Sequence, residues 1–153
     1  MEHRKLLFIV ATIGLSGSLS TPAQDGGNWR ASSSTAKAIT GDIALFNQKI
    51  SLNFSAFTIA QIRTLKPEEV TAVFNGAGDA TGVGNLYRTS IPAEKRFQHK
   101  NTLCGSEETQ WVVSYVAGHT LQLALFSDAK MPVLTPEAMA DTTSLCGTFS
   151  YVR

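Results

Sequence analysis

Acids, imidazoles, hydroxyls and thiols are spaced along the chain in ways that could serve several chemistries. Glu107-Glu108 is a carboxylate pair of the kind glycoside hydrolysis uses across one scissile bond. Adjacent strand residues point to opposite faces, however, so a polar turn after Cys104 accounts for them better. Ser32-Ser33-Ser34 offers hydroxyl nucleophiles, but no Gly-x-Ser-x-Gly elbow surrounds any of them, and an extended lead-in after Trp29 is expected instead. His99 and His119 lie in expected loops, and neither has a partner at metal-ligand spacing. Gly76, Gly78, Gly82 and Gly84 lack both the dinucleotide spacing and a Gly-Lys-Ser/Thr ending. Asp79, flanked by Asn75 and Asn85, supplies too few charged oxygens for calcium. The sequence therefore predicts no catalytic residue, no metal and no cofactor.

Two thiols remain. Cys104 and Cys146 are the only cysteines, and each sits in the same tripeptide, Leu103-Cys104-Gly105 and Leu145-Cys146-Gly147. Redox dithiols usually stand two residues apart, so this wide spacing predicts a structural disulfide and an oxidising compartment. The N-terminus agrees. His3, Arg4 and Lys5 precede an apolar stretch from Leu6 to Leu15, and small residues follow, the pattern of a signal peptide over residues 1–23 with the mature chain starting near Gln24. Ten apolar residues span about 15 Å as a helix, half of a bilayer core, so no stable membrane anchor is expected after signal removal. A periplasmic or secreted location follows.

Losing Arg4, Lys5 and Glu2 from 13 basic and 12 acidic residues leaves eleven of each in the mature chain. A neutral chain has no long-range field to steer it to nucleic acid or anionic lipid. The densest positive stretch, Lys95, Arg96, His99 and Lys100, is short and is followed by Glu107 and Glu108, so a solvated loop is expected. Residues 24–153 suffice for a single domain.

The elements that must position these groups are mostly strands, because the dominant hydrophobic period is two. Ile39–Phe46 and Lys49–Ser55 alternate around Asn47-Gln48, which predicts a hairpin, although Gln adopts positive φ reluctantly. Asn53-Phe54-Ser55 spells a glycosylation sequon but falls inside the second of these strands. Phe57–Leu65 is ambiguous between strand and helix. Pro67, followed by Glu68 and Glu69, opens a short helix through Phe74, and residues 75–85 form a glycine-rich loop. Leu86–Ile91, Thr109–Val116, Thr120–Phe126 and Thr148–Val152 read as strands, and Thr135-Pro136-Glu137 as the start of one helical turn over 136–141. About eight strands with one or two short helical turns predict an all-β antiparallel barrel or sandwich, a small barrel fitting best.

Trp111, Val113 and Tyr115 share one strand face, opposite Val112, Ser114 and Val116. Core packing is one explanation of this aromatic face. A barrel mouth is the other, which makes Trp111, Val113 and Tyr115 the candidate ligand or partner surface.

Asn101-Thr102-Leu103-Cys104-Gly105, Trp111-Val112-Val113, Leu121–Phe126, Pro132 and the closing Leu145-Cys146-Gly147-Thr148-Phe149-Ser150-Tyr151 resemble a group of small exported bacterial proteins of uncharacterised function. Ser34 to Ile43 is similar to that group's N-terminal segment. The resemblance implies a Gram-negative periplasmic setting and no functional residue. The function expected is a non-enzymatic binding or inhibitory module that presents loops to another protein, an architecture shared with periplasmic lysozyme inhibitors. A carrier of a small apolar ligand in the barrel interior is the alternative, and a periplasmic hydrolase the third.

Overall fold

The computed structural model describes residues 25–75 and 81–153. The signal peptide expectation and the glycine loop's Gly76, Gly78 and Asp79 lie outside the described residues. Eight antiparallel strands follow one another around a closed barrel: β1 (Gly27–Ala31), β2 (Ile43–Phe46), β3 (Lys49–Leu52), β4 (Ser55–Thr64), β5 (Val83–Ile91), β6 (Thr109–Ala117), β7 (Thr120–Phe126) and β8 (Leu145–Val152). The all-β barrel read from the alternating pattern is the fold observed. Closure comes from β1 pairing with β8 at Arg30↔Val152 and Ala31↔Tyr151, so no edge strand is left open.

Three sequence expectations need correction at the N-terminal side. Ser34–Ile39 is a helix, α1, rather than an extended lead-in running into a strand. The serine run is its start signal: Ser33 is the N-cap, and its Oγ accepts the Ala36 N–H at 3.2 Å. Thr40 and Gly41 (φ 62°) then turn the chain, which confines the strand expected over Ile39–Phe46 to Ile43–Phe46. The strand expected over Lys49–Ser55 ends at Leu52, because Asn53 (φ 45°) and Phe54 (φ 67°) make a second two-residue turn. The sequon therefore sits in a turn, not a strand. The first turn is as expected, with Asn47 and Gln48 at φ 49° and 59°. Phe57–Leu65 resolves as strand, within β4.

The other helices match their sequence signals. α2 (Pro67–Phe74) opens with Pro67 in the first turn and ends at Asn75, which is left-handed at φ 50°. Glu69 fastens its start by accepting the Lys66 N–H at 2.9 Å and both arms of the Arg63 guanidinium at 2.7 Å each. α3 (Pro136–Asp141) is capped by Thr135, whose Oγ1 accepts the Ala138 N–H.

Strand alternation divides the apolar side chains into two cores. The barrel interior is filled by Trp29, Ile50, Leu52, Leu121, Phe149 and Tyr151, all almost fully buried, together with smaller aliphatic residues. The second core lies on the outer wall of β5–β7, where α2 and α3 cover Leu86, Trp111, Val113 and Tyr115. Antiparallel registers give the barrel two distinct ends. At the base, α1 and the β5–β6 connection place Ala36, Phe97 and Leu103 in the interior core, and Thr40 Oγ1 meets Tyr151 Oη at 2.7 Å. The mouth is formed by Asp25, the Asn47-Gln48 turn and the Gly118-His119 turn.

Cys104 and Cys146 form the disulfide, with a Cα–Cα distance of 4.9 Å and a sequence separation of 42. Cys104 precedes β6 by five residues, and Cys146 is the second residue of β8. A closed loop of that length is expected to contribute about 4 kcal/mol on the chain-entropy account. Urea unfolding of the Cys104→Ser/Cys146→Ser double variant should therefore show a loss of about 2–4 kcal/mol with the barrel's circular dichroism retained. The Arg63–Glu69 pair makes a different prediction. Hydrogen bonding to Arg63 holds the Glu69 carboxyl below its ordinary value, so the pair stabilises the fold above the usual carboxylate range near about 4.3 and loses that effect as pH falls through the lowered folded value. Glu69→Gln should flatten this part of the pH profile of the urea midpoint, a change of under about 1 kcal/mol because Arg63 is partly exposed.

Candidate functional site

Trp111, Val113 and Tyr115 come together on one face of β6, as the alternation requires, but that face is the outer wall. They are 7%, 0% and 3% exposed beneath the two helices, where they form the second core rather than lining the mouth. Both aromatic rings are engaged in place. Phe74 stacks on Tyr115 with ring centroids 6.3 Å apart, Arg88 lies 4.8 Å over Trp111, and the Trp111 indole N–H donates to the Asp128 carbonyl at 2.9 Å.

The opposite face of β6 carries the polar residue that interrupts an apolar pattern. Ser114 points inward between Val112 and Val116, and its hydroxyl donates to Asp25 Oδ2 at 2.8 Å. Tyr87, on the inward face of β5, donates to the same oxygen at 2.5 Å. Asn85, two residues before it, adds a longer contact of 3.4 Å from Nδ2. The far side of the Asn85 amide is fixed in turn, its Oδ1 accepting Gln61 Nε2 at 2.9 Å and Thr64 Oγ1 at 3.4 Å. Asp25 is held from its backbone too, since its carbonyl accepts the Trp29 indole N–H at 2.8 Å. At 3% exposure, Asp25 is a carboxylate buried in the barrel mouth within a cradle of neutral donors.

The Tyr87 and Ser114 hydroxyls both act as donors here. Burial and the neighbouring Asp25 carboxylate push the Tyr87 phenol well above its ordinary range, so its oxygen stays protonated and acts as a donor. Ser114 likewise gives its hydrogen to Asp25, and a carboxylate alone does not activate a serine as an imidazole would. Among the described residues no three His, Cys, Asp or Glu side chains group as metal ligands.

A second feature stands on the outside. Phe54 is fully exposed at the tip of the β3–β4 turn with φ 67°. It flanks a groove of about 800 Å³ across the outer faces of β1–β3, into which Asn28, Arg30, Lys37 and Asp42 also face. Asp42 is already partly engaged, its Oδ1 accepting the Ala31 N–H at 2.9 Å.

Neither Asp25 nor Phe54 stood out in the sequence. Ser114, a hydroxyl in the inward register of an apolar strand, was the available signal for the first. Asn53, a residue that tolerates positive φ, was the signal for the turn that exposes the second. No family model matches the chain, and neither a curated protein nor a solved structure matches it. Its own residues carry the functional reading.

Tyr87→Phe removes the shortest hydrogen bond to a buried carboxylate while keeping the ring's packing. It should cost about 1–3 kcal/mol in urea unfolding, more than Thr89→Val, which removes only a hydroxyl bonded to the Thr58 carbonyl.

Proposed function

We propose that the protein is an exported, non-enzymatic binding or inhibitory module that acts through contacts with another protein, using the groove beside Phe54. Phe54 carries this reading. A β-carbon at positive φ costs about 1–2 kcal/mol, and no burial of the ring offsets it within the chain. A large aromatic side chain kept fully exposed under such strain is suited to the centre of an interface, where aromatic and arginine side chains dominate binding energy. Arg30, Lys37 and Asn28 supply a polar surround. Cations outnumber the one carboxylate of the groove, which favours an acidic patch on the partner.

The filled interior supports this reading over a carrier of an apolar ligand. Trp29, Phe149 and Tyr151 occupy the space that such a ligand would need, and the Asp25 carboxylate is held above them.

A photoreactive benzophenone side chain at position 54 is expected to trap one discrete protein in the exported fraction of cells that make the chain. Thr148, an exposed residue of β8, is the control position and should trap none. An empty lane from position 54, or identical adducts from both positions, overturns the reading. Phe54→Gly should raise the unfolding free energy by about 1 kcal/mol while abolishing partner binding, the combination expected of a residue kept for contact rather than stability. Lysozyme is the specific partner to assay first, and absence of inhibition at micromolar protein removes that instance.

A further inference from the structure

The barrel mouth contains a buried carboxylate, Asp25. Three neutral donors, Tyr87, Ser114 and Asn85, all converge on Asp25 Oδ2, and among the described residues no lysine or arginine pairs with it. Neutral hydrogen bonds reduce the cost of burying a charge without compensating it. The same carboxylate lies against a pocket of about 670 Å³ at the mouth. Its walls include Leu45, Ile59 and Ala60, and exposed Asn47, Gln48 and Lys49 form the rim.

We propose that this pocket takes a primary ammonium on an unbranched aliphatic stem, with the head on Asp25 and the stem along Leu45 and Ile59. The chemistry follows from the occupancy of the carboxylate. Because Oδ2 already accepts three hydrogens, the carboxylate suits a compact ammonium better than a guanidinium fork that engages both oxygens. A divalent metal needs more ligands than one carboxylate oxygen supplies. Apolar walls favour an alkyl stem over a bare ammonium ion. Lys49 at the rim selects a single charge, since a second ammonium at the outer end of the stem would face it. A free alkylamine and a lysine side chain of a protein share this chemistry. The site is at the opposite end of β3 from Phe54, so it stands or falls separately from the protein-contact reading.

The test is NMR titration of the oxidised chain with n-butylammonium, with Nα-acetyl-lysine N-methylamide as a second arm and 1-butanol as the uncharged control. Both ammonium probes should shift the Asn85 side-chain amide and the Gly26 and Ala60 backbone amides. The alcohol should bind at least about tenfold more weakly. Shifts from butylammonium alone assign the pocket to free amines, and tighter binding of the lysine mimic assigns it to a protein side chain. Either supports the proposal. Asp25→Asn should abolish the preference for amine over alcohol. Lys49→Glu, a substitution at an exposed rim position, should tighten the amine several-fold and leave the alcohol unchanged, which decides the matter even if Asp25→Asn does not fold. Equal affinity for amine and alcohol, shifts confined to other parts of the barrel, or no response to Lys49→Glu overturns it.

Discussion

The seam between β1 and β8 is the contact on which the rest of the barrel depends, and in ladder terms it is the shortest, with two register pairs where β6 and β7 share seven. Its reinforcements come from neighbouring elements. Ser32 and Ser33 both donate their backbone N–H to the Ser150 carbonyl, and Ser33 Oγ accepts the Ser150 N–H at 3.1 Å. The hydroxyl that caps α1 thus also extends the ladder. At the base, Tyr151 reaches Thr40, and burial holds its phenol protonated. Near the mouth, the Arg153 guanidinium lies 4.3 Å over the Trp29 ring and donates to the Gly26 carbonyl at 3.1 Å. The disulfide anchors the far end of β8, so the last strand is fixed along its whole length.

This arrangement explains why the two ends differ. Elements that secure the seam at the base also plug it, since α1 adds Ala36 to the interior core and closes that opening. Among the described residues no helix crosses the centre of the mouth, and a polar residue enters it. Asp25 is drawn inward by Trp29, itself an interior residue of the seam strand, which donates to the Asp25 backbone while Tyr87 and Ser114 hold the side chain. Burial of the carboxylate is therefore tied to closure of the barrel.

Much of the architecture was legible in the sequence, for a physical reason. Strands such as Thr120–Phe126 and helices opened by Pro67 and Pro136 carry signals written within a few residues, and their observed bounds follow those signals. α1 was hidden because Ile39, Gly41, Ile43 and Leu45 mimic a strand face, while the competing helix signal rested on one serine of three. The site was less legible still. Asp25, Asn85, Tyr87 and Ser114 are up to 89 residues apart, and only the pairing of β5 with β6 and the closure of the barrel through β1 make them neighbours. Trp111, Val113 and Tyr115 were correctly grouped by period, but a period of two cannot say which face is inside when a helix covers the outside.

Because the seam joins the first strand to the last, the order of synthesis bears on how the chain can fold. β1 leaves the ribosome more than a hundred residues before its partner in β8, so the ring stays open until β8 has been made. Until then β1 and the most recently made strand both present unpaired backbone, the surface through which sheets join other sheets. A chain cut short before Leu145 would keep seven strands and lose its closure, leaving a curled sheet with two permanent edges. Presence of β8 is thus a structural requirement of this fold, since it alone supplies the second partner of β1.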